Sequence, residues 1–296
     1  MKSGIINIYK EKDFTSFDVI AKLRGILREK KLGHTGTLDP MAEGVLPVCI
    51  GKATKLAALL TDKHKEYVCE FCLGMTSDTQ DITGTILSRS EINVDEQQIL
   101  DSINSFKGLI SQLTPMYSAR KVDGKKLYEY ARAGKEIERE TKNVNIYEIN
   151  DININLDQKL VSMRVLCEKG TYIRTLCHDI GQKLGCGAVM TKLLRTKVDI
   201  FNIDTAIKLS EVEQLRDEGK LDEHIISAEE LFHDSPSVKL SNDLEKYVFN
   251  GNPLNLDNFD EILTEGSIVK VYSSDDNFLA LYRVREGKIR SEIQFF

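Results

Sequence analysis

Apolar residues recur at helical spacing in two stretches of the chain. In the first, between residues 16 and 30, the apolar positions are Val19, Ile20, Leu23, Ile26 and Leu27. Thr15 and Asp18 have the spacing of a capping box, in which each residue satisfies a backbone N–H of the other. The pattern therefore predicts an amphipathic helix that begins just after Thr15 and ends near Lys30.

The second helical stripe begins after a glycine and contains Ile173, Leu176, Cys177, Ile180 and Leu184. Thr171 is the candidate N-cap, and the glycines around Cys186 are expected to end the helix. Arg174 falls in the first turn and off the apolar stripe. Because a cation there opposes the helix dipole, its position predicts an acidic partner.

The remaining pattern interleaves strands with short helices. Strand-like runs lie at 4–9, 45–50, 66–73, 84–88, 144–156 and 160–167, and helical runs lie at 52–60, 95–106 and 125–133. Regular alternation of strand and helix is missing. This order predicts an α+β fold, with a mixed, mainly antiparallel central sheet flanked by helices.

The composition changes twice near the C-terminus. Residues 204–234 are acidic and predict a helical connector, whereas residues 235–296 combine one short helix (243–250) with strand-like runs at 267–272, 278–284 and 289–294. We therefore expect a large domain over 1–234 and a small β-rich domain over 235–296, close to the lower size limit for independent folding.

Composition narrows the class of protein. The 296 residues contain no apolar run of membrane-spanning length and begin without a signal sequence, so we expect a soluble, cytoplasmic protein. The cysteines lack a disulfide framework spacing and are expected to be reduced. Cys69 and Cys72 form a C-x-x-C pair within a strand, where residues three apart point to opposite faces. We therefore expect no zinc, and no other metal.

Charge is distributed unevenly along the chain, although the total is only −6. Residues 204–296 hold 10 basic and 20 acidic residues, while residues 1–203 hold 30 basic and 26 acidic ones. Basic side chains interleave with three tyrosines between 117 and 135, and include Arg120, Lys125 and Lys126. Such a mixture suits a phosphate backbone and unstacked bases. The alternative is a solvated helix face.

The stretch from Gly33 to Gly44, GHTGTLDPMAEG, is too rich in glycine and proline for a helix or a strand. A loop of this kind around a lone Asp39 indicates either a functional site or an ordinary Asp-Pro turn. Gly51-Lys52 is followed by alanine and lacks the spacing of a phosphate-binding loop. His34 and the scattered cysteines are too few for zinc, and an aspartyl-phosphate site would need more carboxylates.

What remains is a single carboxylate that acts as nucleophile or base without metal or cofactor. Burial would raise the pKa of Asp39, and an arginine partner would lower it and fix the direction of the carboxylate. Arg174 is the candidate for this partner.

The loop, with Gly44 and then Pro47, resembles the signature loop of the TruB-type pseudouridine synthases. Further blocks resemble the family in order and spacing: GKATK (51–55), DKHKEY (62–67), PMYSA (115–119), GKKLYEYAR (124–132), KGTYIRT (169–175) and LLRT (193–196). The C-terminal β-rich stretch resembles, less sharply, the small RNA-binding PUA domain of bacterial members.

The resemblance implies catalytic roles for three residues. Asp39 would be the carboxylate that attacks the target nucleoside, Tyr67 would stack on the flipped uracil and take part in proton abstraction, and Arg174 would pair with Asp39. A flipped base must be drawn out of its stack, at a cost of a few kcal/mol. For Tyr67 the alternative is an ordinary core tyrosine of its strand.

The resemblance also implies substrate-binding residues. His34 would fill the gap left by the extruded base, Leu193 would pack near the base, and Lys55 would support the catalytic loop or contact the RNA backbone. The alternatives are a turn residue for His34 and ordinary structural roles for Leu193 and Lys55. Arg120 and Lys125, together with Lys126, complete the predicted RNA contacts.

The activity implied by the resemblance is the conversion of uridine to pseudouridine at position 55 in the TΨC loop of tRNA, without a cofactor. The implied partner is the T-arm stem-loop of tRNA. We expect a monomer that does not associate with a membrane and has no obligatory protein partner. Two other functions remain open: a guide-RNA-dependent pseudouridylase, and a tRNA-binding or folding factor whose catalysis is incidental.

One segment departs from the family pattern. The first motif of the family reads Lys-Pro-x-Gly-x-Thr-Ser, whereas this chain has Glu11 in place of the proline and Asp13 in place of the glycine. We expect this segment to lie away from the chemistry. The departure would then affect the local loop shape rather than the activity.

Overall fold

A computed structural model describes residues 2–296, which form eight α-helices, four 3-10 helices and nineteen strands. The α-helices are α1 (Ser16–Leu27), α2 (Ala57–Thr61), α3 (Glu96–Asn104), α4 (Leu127–Arg132), α5 (Ile173–Lys183), α6 (Leu209–Asp217), α7 (Ala228–Leu231) and α8 (Asn242–Phe249). The 3-10 helices are Gly51–Leu56, Ile203–Thr205, Leu221–His224 and Leu256–Asn258. The strands are β1 (Gly4–Lys10), β2 (Leu32–His34), β3 (Glu43–Ile50), β4 (Lys65–Leu73), β5 (Met75–Ser77), β6 (Ile86–Arg89), β7 (Gly108–Leu113), β8 (Lys121–Val122), β9 (Lys125–Lys126), β10 (Thr141–Asn155), β11 (Leu160–Cys167), β12 (Ala188–Val198), β13 (Phe201–Asn202), β14 (Ile225–Ile226), β15 (Ser237–Lys239), β16 (Leu254–Asn255), β17 (Ile268–Tyr272), β18 (Phe278–Arg285) and β19 (Lys288–Gln294).

A ten-stranded sheet dominates the structure. Eight of its strands follow the order β14-β1-β3-β12-β4-β11-β10-β7, with β2 beside β3 and β13 beside β12. All pairings are antiparallel except that of β3 with β12, where Leu194 lies opposite Glu43 and Arg195 opposite Gly44. The predicted α+β fold, with a mixed and mainly antiparallel central sheet, is confirmed.

The sequence pattern predicts the bounds of helices and strands correctly where the capping or apolar signal is strongest. Helix α1 has the predicted capping box between Thr15 and Asp18, and β11 has the predicted bounds. The predicted cap of α5 is wrong: Tyr172 is the N-cap residue, and the Thr171 hydroxyl instead donates to the Glu168 carbonyl at 2.8 Å. The helix predicted from residue 125 starts at Leu127, because Lys125 belongs to a short hairpin of β8 and β9.

The pattern missed β12, which runs through the middle of the sheet between β3 and β4. Its sequence, AVMTKLLRTKV, does not alternate apolar and polar positions, and both Arg195 and Thr196 are buried. A strand with buried polar residues has no period-2 hydrophobic signal. The strand therefore has to be found from its neighbours rather than from its own sequence.

Three apolar clusters support the sheet. One lies between the sheet and helices α3 and α5, and includes Leu38, Tyr67 and Leu193. The second packs α1 and α6 against β1 and β3. In the C-x-x-C pair on β4, Cys69 is buried while Cys72 is half-buried, as expected for opposite faces of a strand.

The C-terminal part has its own five-stranded sheet, in the order β15-β17-β18-β19-β16, and its own apolar cluster. A third cluster of the large sheet joins the two parts, because Leu281 and Ile293 pack with Val45 and Phe201. The segment 204–234 is not purely helical as predicted, since its strand β14 pairs with β1 through Ile225 and Ile226. None of the helices in residues 2–296 is both long and apolar enough to span a bilayer.

Candidate active site

The loop that carries Asp39 runs from the end of β2 to the start of β3 and is held by hydrogen bonds along its length. The Leu38 N–H donates to Ser16 Oγ at 2.8 Å, and the Ala42 N–H donates to the Asp39 carbonyl at 3.0 Å. At Gly44, φ is 102°, and a Cβ would lie 2.3 Å from the Arg195 carbonyl. This position therefore requires glycine both for its backbone conformation and for close approach of β12.

The first motif contacts this loop directly, so the expectation that it lies away from the chemistry is wrong. The buried Lys10 ammonium donates to the Ala42 carbonyl at 2.5 Å and to the Pro40 carbonyl at 3.2 Å. The backbone N–H of Asp13 donates to the Pro40 carbonyl at 2.9 Å. The φ angle of Asp13 is 68°, in the left-handed region. The family's glycine suits this left-handed conformation, and aspartate is among the residues that tolerate it. The departure at Asp13 thus keeps the contact with the loop.

Asp39 and Arg174 face each other across the site. Arg174 Nη2 lies 3.3 Å from Asp39 Oδ2 and 3.4 Å from Oδ1. The Asp39 side chain is 35% exposed, whereas that of Arg174 is only 5% exposed. Burial raises the pKa of Asp39, the Arg174 guanidinium opposes the rise, and the charge of Asp81 adds to it. The carboxylate is thus accessible, weakly solvated and held in one direction.

Arg174 also joins the site to two other segments. Its Nη2 donates to the Tyr117 carbonyl at 2.6 Å, and its Nη1 lies 3.8 Å from the buried carboxylate of Asp81. Asp81 in turn accepts hydrogen bonds from Thr79 and from both the N–H and the hydroxyl of Thr83. The sequence interpretation missed Asp81, whose only signal is a run of threonines and aspartates at 76–81.

Tyr67 and Leu193 lie on adjacent strands beside the Asp39 loop. Tyr67 is on β4, and Leu193 is on β12 opposite Cys69. Both residues are 8% exposed and belong to the apolar cluster that includes Leu38. Together they form an apolar and aromatic surface that packs with Leu38, the residue before Asp39. A planar uncharged ring would find both dispersion contacts and a stacking surface there.

The structure places His34 at the entrance of the loop and Lys55 away from it. The Nδ1 atom of His34 accepts the Gly36 N–H at 3.3 Å, and burial together with Arg195 lowers the pKa of the imidazole. Lys55 donates its Nζ to the Gln294 carbonyl at 2.7 Å, in the C-terminal sheet. Lys55 therefore contacts that sheet instead of the Asp39 loop.

Arg120, Lys125 and Lys126 lie on or next to the β8–β9 hairpin. Arg120 forms an ion pair with Glu140, and the Lys126 ammonium lies 5.4 Å from the centre of the Tyr128 ring. The structure joins this hairpin to the site through its preceding segment, since Arg174 binds the carbonyl of Tyr117. The cations themselves are not brought into contact with Asp39.

Among residues 2–296, no group of three His, Cys, Asp or Glu side chains is placed to hold a metal ion. The reactive group of the site is the half-buried carboxylate of Asp39. The Arg174 guanidinium holds it, and the apolar surface of Tyr67 and Leu193 lies beside its loop. Such an arrangement can attack an electrophilic carbon, or stabilise positive charge that develops beside it.

Comparison with known proteins identifies the family of this chain. Residues 24–173 match the model of the TruB family pseudouridylate synthase (N terminal domain), and residues 174–233 match that of the tRNA pseudouridylate synthase B C-terminal domain. The tRNA pseudouridine synthase B of Lachnoclostridium phytofermentans is 46% identical over 97% of this chain and 96% of its own. That of Clostridium tetani is 41% identical over 96% and 97%, respectively.

Solved structures show the same fold. A Cbf5-Nop10-Gar1 complex contains a chain with a TM-score of 0.73 and 28% identity, covering 99% of this chain and 84% of that one. An H/ACA RNP bound to a substrate RNA gives a TM-score of 0.72 at 26% identity, with 99% and 85% covered. With matching family models over residues 24–233 and relatives this similar along nearly its whole length, the chain belongs to the TruB family of pseudouridylate synthases.

Proposed function

We propose that this protein isomerises uridine to pseudouridine in tRNA, at position 55 of the TΨC loop. The observation that carries the proposal is the pairing of Asp39 with Arg174 beside Tyr67. The names of the relatives support tRNA as the substrate. The sequence blocks that resemble the family include all three of these residues.

In the proposed reaction, Asp39 acts as an ionised carboxylate. The N1–C1′ bond of the uridine breaks, the uracil rotates within the pocket, and C5 bonds to C1′ before losing its proton. Attack of the carboxylate on the ring, attack on the ribose and elimination through a glycal all use the same side chain. Arg174 serves each route by keeping Asp39 ionised and directed towards the nucleoside.

The uracil has to leave its stack to reach Asp39, at a cost of a few kcal/mol. We assign Tyr67 and Leu193 to the surface on which the flipped ring rests. His34, whose lowered pKa keeps the imidazole neutral near pH 7, fills the vacated position in the RNA. A neutral ring suits that role because it can stack without burying a charge among the bases.

We assign the remaining RNA contacts to the β8–β9 hairpin and the residue before it. Arg120, Lys125 and Lys126 supply positive charge for the phosphates, and Tyr128 beside Lys126 offers an aromatic face. Lys55 would contact the RNA backbone next to the C-terminal sheet. We assign residues 235–296 to a PUA-like domain, and the whole protein to a cytoplasmic monomer that works without a cofactor or an obligatory protein partner.

The proposal is tested by tritium release from a T-arm hairpin that contains 5-tritiated uridine, with the purified protein alone and without metal or nucleotide. We expect release by the wild type and none by Asp39→Ala. Asp151→Asn, which removes a surface carboxylate paired with Arg164, is the matched control and should retain full activity. Undiminished release by Asp39→Ala would overturn the mechanism.

The same assay addresses the other two functions. The likeness to H/ACA structures favours a guide-dependent enzyme as the second candidate, and activity on a bare hairpin would exclude a guide requirement. A tRNA-folding role would show itself if Asp39→Asn, which keeps the shape of the side chain, still complements a strain that lacks the gene.

A further inference from the structure

Arg195 is the largest fully buried side chain of the protein, with 1% of its surface exposed. The register of β12 places it beside Gly44 of β3 and Tyr67 of β4. Its Nε donates to the Val45 carbonyl at 2.7 Å, and its Nη2 donates to the Gly36 carbonyl at 3.1 Å. These two carbonyls lie on either side of Asp39 in the chain, so one rigid guanidinium holds both ends of the loop.

This guanidinium has no carboxylate within 4.0 Å among residues 2–296, whereas Arg174 has two within that distance. The other ionisable groups that interact with it include Lys10, Lys65 and the half-buried His34. Burial lowers the pKa of each of them, and the charge of Arg195 lowers it further. The ammonium groups of the two lysines donate hydrogen bonds to main-chain carbonyls, that of Lys10 to Ala42 and that of Lys65 to Lys63. A buried cation without an anion is strongly unfavourable, so this environment favours a negative charge close to Arg195.

The Tyr67 hydroxyl is a group next to Arg195 that can become an anion, because β4 and β12 place the two residues directly opposite each other. Burial raises the pKa of Tyr67, and Asp39 from the loop and Cys167 from β11 add to the rise. Arg195 from β12 opposes it. Of these three neighbours, Arg195 is therefore the one that favours the phenolate.

We propose that Arg195 is a positioning residue for the reaction, whose otherwise unpaired guanidinium holds the Tyr67 hydroxyl in place and favours its ionised form, so that this oxygen removes the proton from C5. The proposal rests on the proposed function, because it needs a uracil whose C5 has already bonded to C1′. In this step the C5–H bond breaks, its electron pair re-forms the C5–C6 double bond, and the proton passes to the Tyr67 oxygen. N1 takes up a proton from solvent, and Tyr67 later returns its own to solvent.

Two readouts test the proposal on the full-length protein. The first is the ultraviolet titration of Tyr67, isolated as the difference between each protein and its Tyr67→Phe counterpart. The second is the single-turnover rate of tritium release as a function of pH. The variants are Arg195→Met and Arg195→Lys, and Arg164→Lys is the control because Arg164 pairs with Glu66 and Asp151 at the surface.

We expect Arg195→Met to move the ionisation of Tyr67 to higher pH and to slow release about tenfold to a hundredfold near neutral pH. The deficit should shrink as the pH rises, because more alkaline solution restores the phenolate. Arg195→Lys keeps the positive charge but loses the planar guanidinium with its several donors. Its rate of tritium release should therefore lie between those of Arg195→Met and the wild type. In a Tyr67→Phe background, Arg195→Met should lose the pH-dependent part of its deficit and keep only a pH-independent loss from the missing contacts to the Gly36 and Val45 carbonyls.

An unchanged Tyr67 titration in folded Arg195→Met would overturn the proposal, as would a rate deficit that is the same at every pH. If neither variant folds, Arg195 belongs to the fold alone and the proposal fails. A shifted Tyr67 titration in a protein that never releases tritium would support the Arg195–Tyr67 link and count against the proposed function. The two ideas can therefore fail separately.

Discussion

Charge is handled differently around Asp39 and in the C-terminal sheet. Near Asp39, five charged side chains are almost completely buried: Lys10, Lys65, Asp81, Arg174 and Arg195. In residues 235–296 the ion pairs lie nearer the surface, such as Arg283 with Glu292 and Arg290 with Glu286. The core beneath those pairs contains no buried charge among its described residues.

The difference separates stability from function. Burying a charge costs stability even when it is paired, so the C-terminal sheet, with its ion pairs near the surface, has the arrangement that favours stability. The centre around Asp39 retains the unfavourable arrangement. Its buried cations bind main-chain carbonyls of the Asp39 loop and the carboxylate of Asp39 itself. The loss of stability is accompanied by a fixed geometry for Asp39 and Tyr67.

The largest expected effect is on catalysis. Replacing Arg174 with methionine removes the group that lowers the pKa of Asp39, and we expect kcat/KM to fall about a hundredfold to a thousandfold. The acidic limb of the pH–rate profile should move to higher pH, because the carboxylate then needs a higher pH to ionise. Single-turnover rates between about pH 5 and pH 8 measure both effects, with Arg164→Met as the control. A uniform fall at every pH would contradict the role given to Arg174.

The next effect concerns the apolar contact between the two regions. Leu281 is fully buried against the large sheet, and we expect Leu281→Ala to lower the free energy of unfolding by about 3 kcal/mol. Ile262→Ala is the control, because Ile262 is 93% exposed. The midpoint of urea denaturation measures the change. Equal effects of the two substitutions would show that this interface contributes little.

A smaller effect is expected at Asp179, a partly buried carboxyl on α5 whose pKa burial raises to about 6. Because the folded protein holds this proton more tightly than the unfolded chain does, stability falls as the pH rises from about 4 to about 6. Asp179→Asn should therefore stabilise the protein at neutral pH, by at most the roughly 3 kcal/mol that a rise of this size corresponds to, and should have no effect at acidic pH. Thermal denaturation at both pH values checks this, and a difference that does not depend on pH would contradict it.

The smallest effect belongs to the C-terminal ion pairs. Glu292 pairs with Arg283 and Arg285, and its side chain is 22% exposed. We expect Glu292→Gln to cost no more than about 1 kcal/mol, and less at high salt. Denaturation at low and high salt measures it. A cost as large as that of Leu281→Ala would remove the contrast between the two regions.

Much of the fold could be predicted from the sequence, because apolar periodicity marks elements with one buried face. Helix α1 and strand β11 are examples. Strand β12 and the loop contacts of Lys10 could not, since a pattern-based interpretation assigns every charge to the surface. Arg174 was expected near Asp39 because an arginine in the first turn of a helix needs an acidic partner. Arg195 gave no comparable signal, although it lies two residues from Leu193.

The negative charge of the C-terminal region is unevenly divided between the connecting segment and the C-terminal sheet. Most of the excess negative charge counted from Asp204 lies in the connecting segment 204–234, which holds 3 basic and 10 acidic residues. Residues 235–296 hold 7 basic and 10 acidic ones. The sheet that resembles a PUA domain is thus close to neutral, and its charge is only a small barrier to RNA contact.

The short strand β14 affects more than connectivity. By pairing with Ile5 and Ile6, it covers the backbone of β1 at one end of the large sheet. At the other end, β7 pairs only with β10 among the described residues and presents Leu109, which is 74% exposed. An uncovered edge with an exposed leucine is a template for strand addition. If the protein aggregates at high concentration, the self-association should begin at β7, and Leu109→Lys should suppress it.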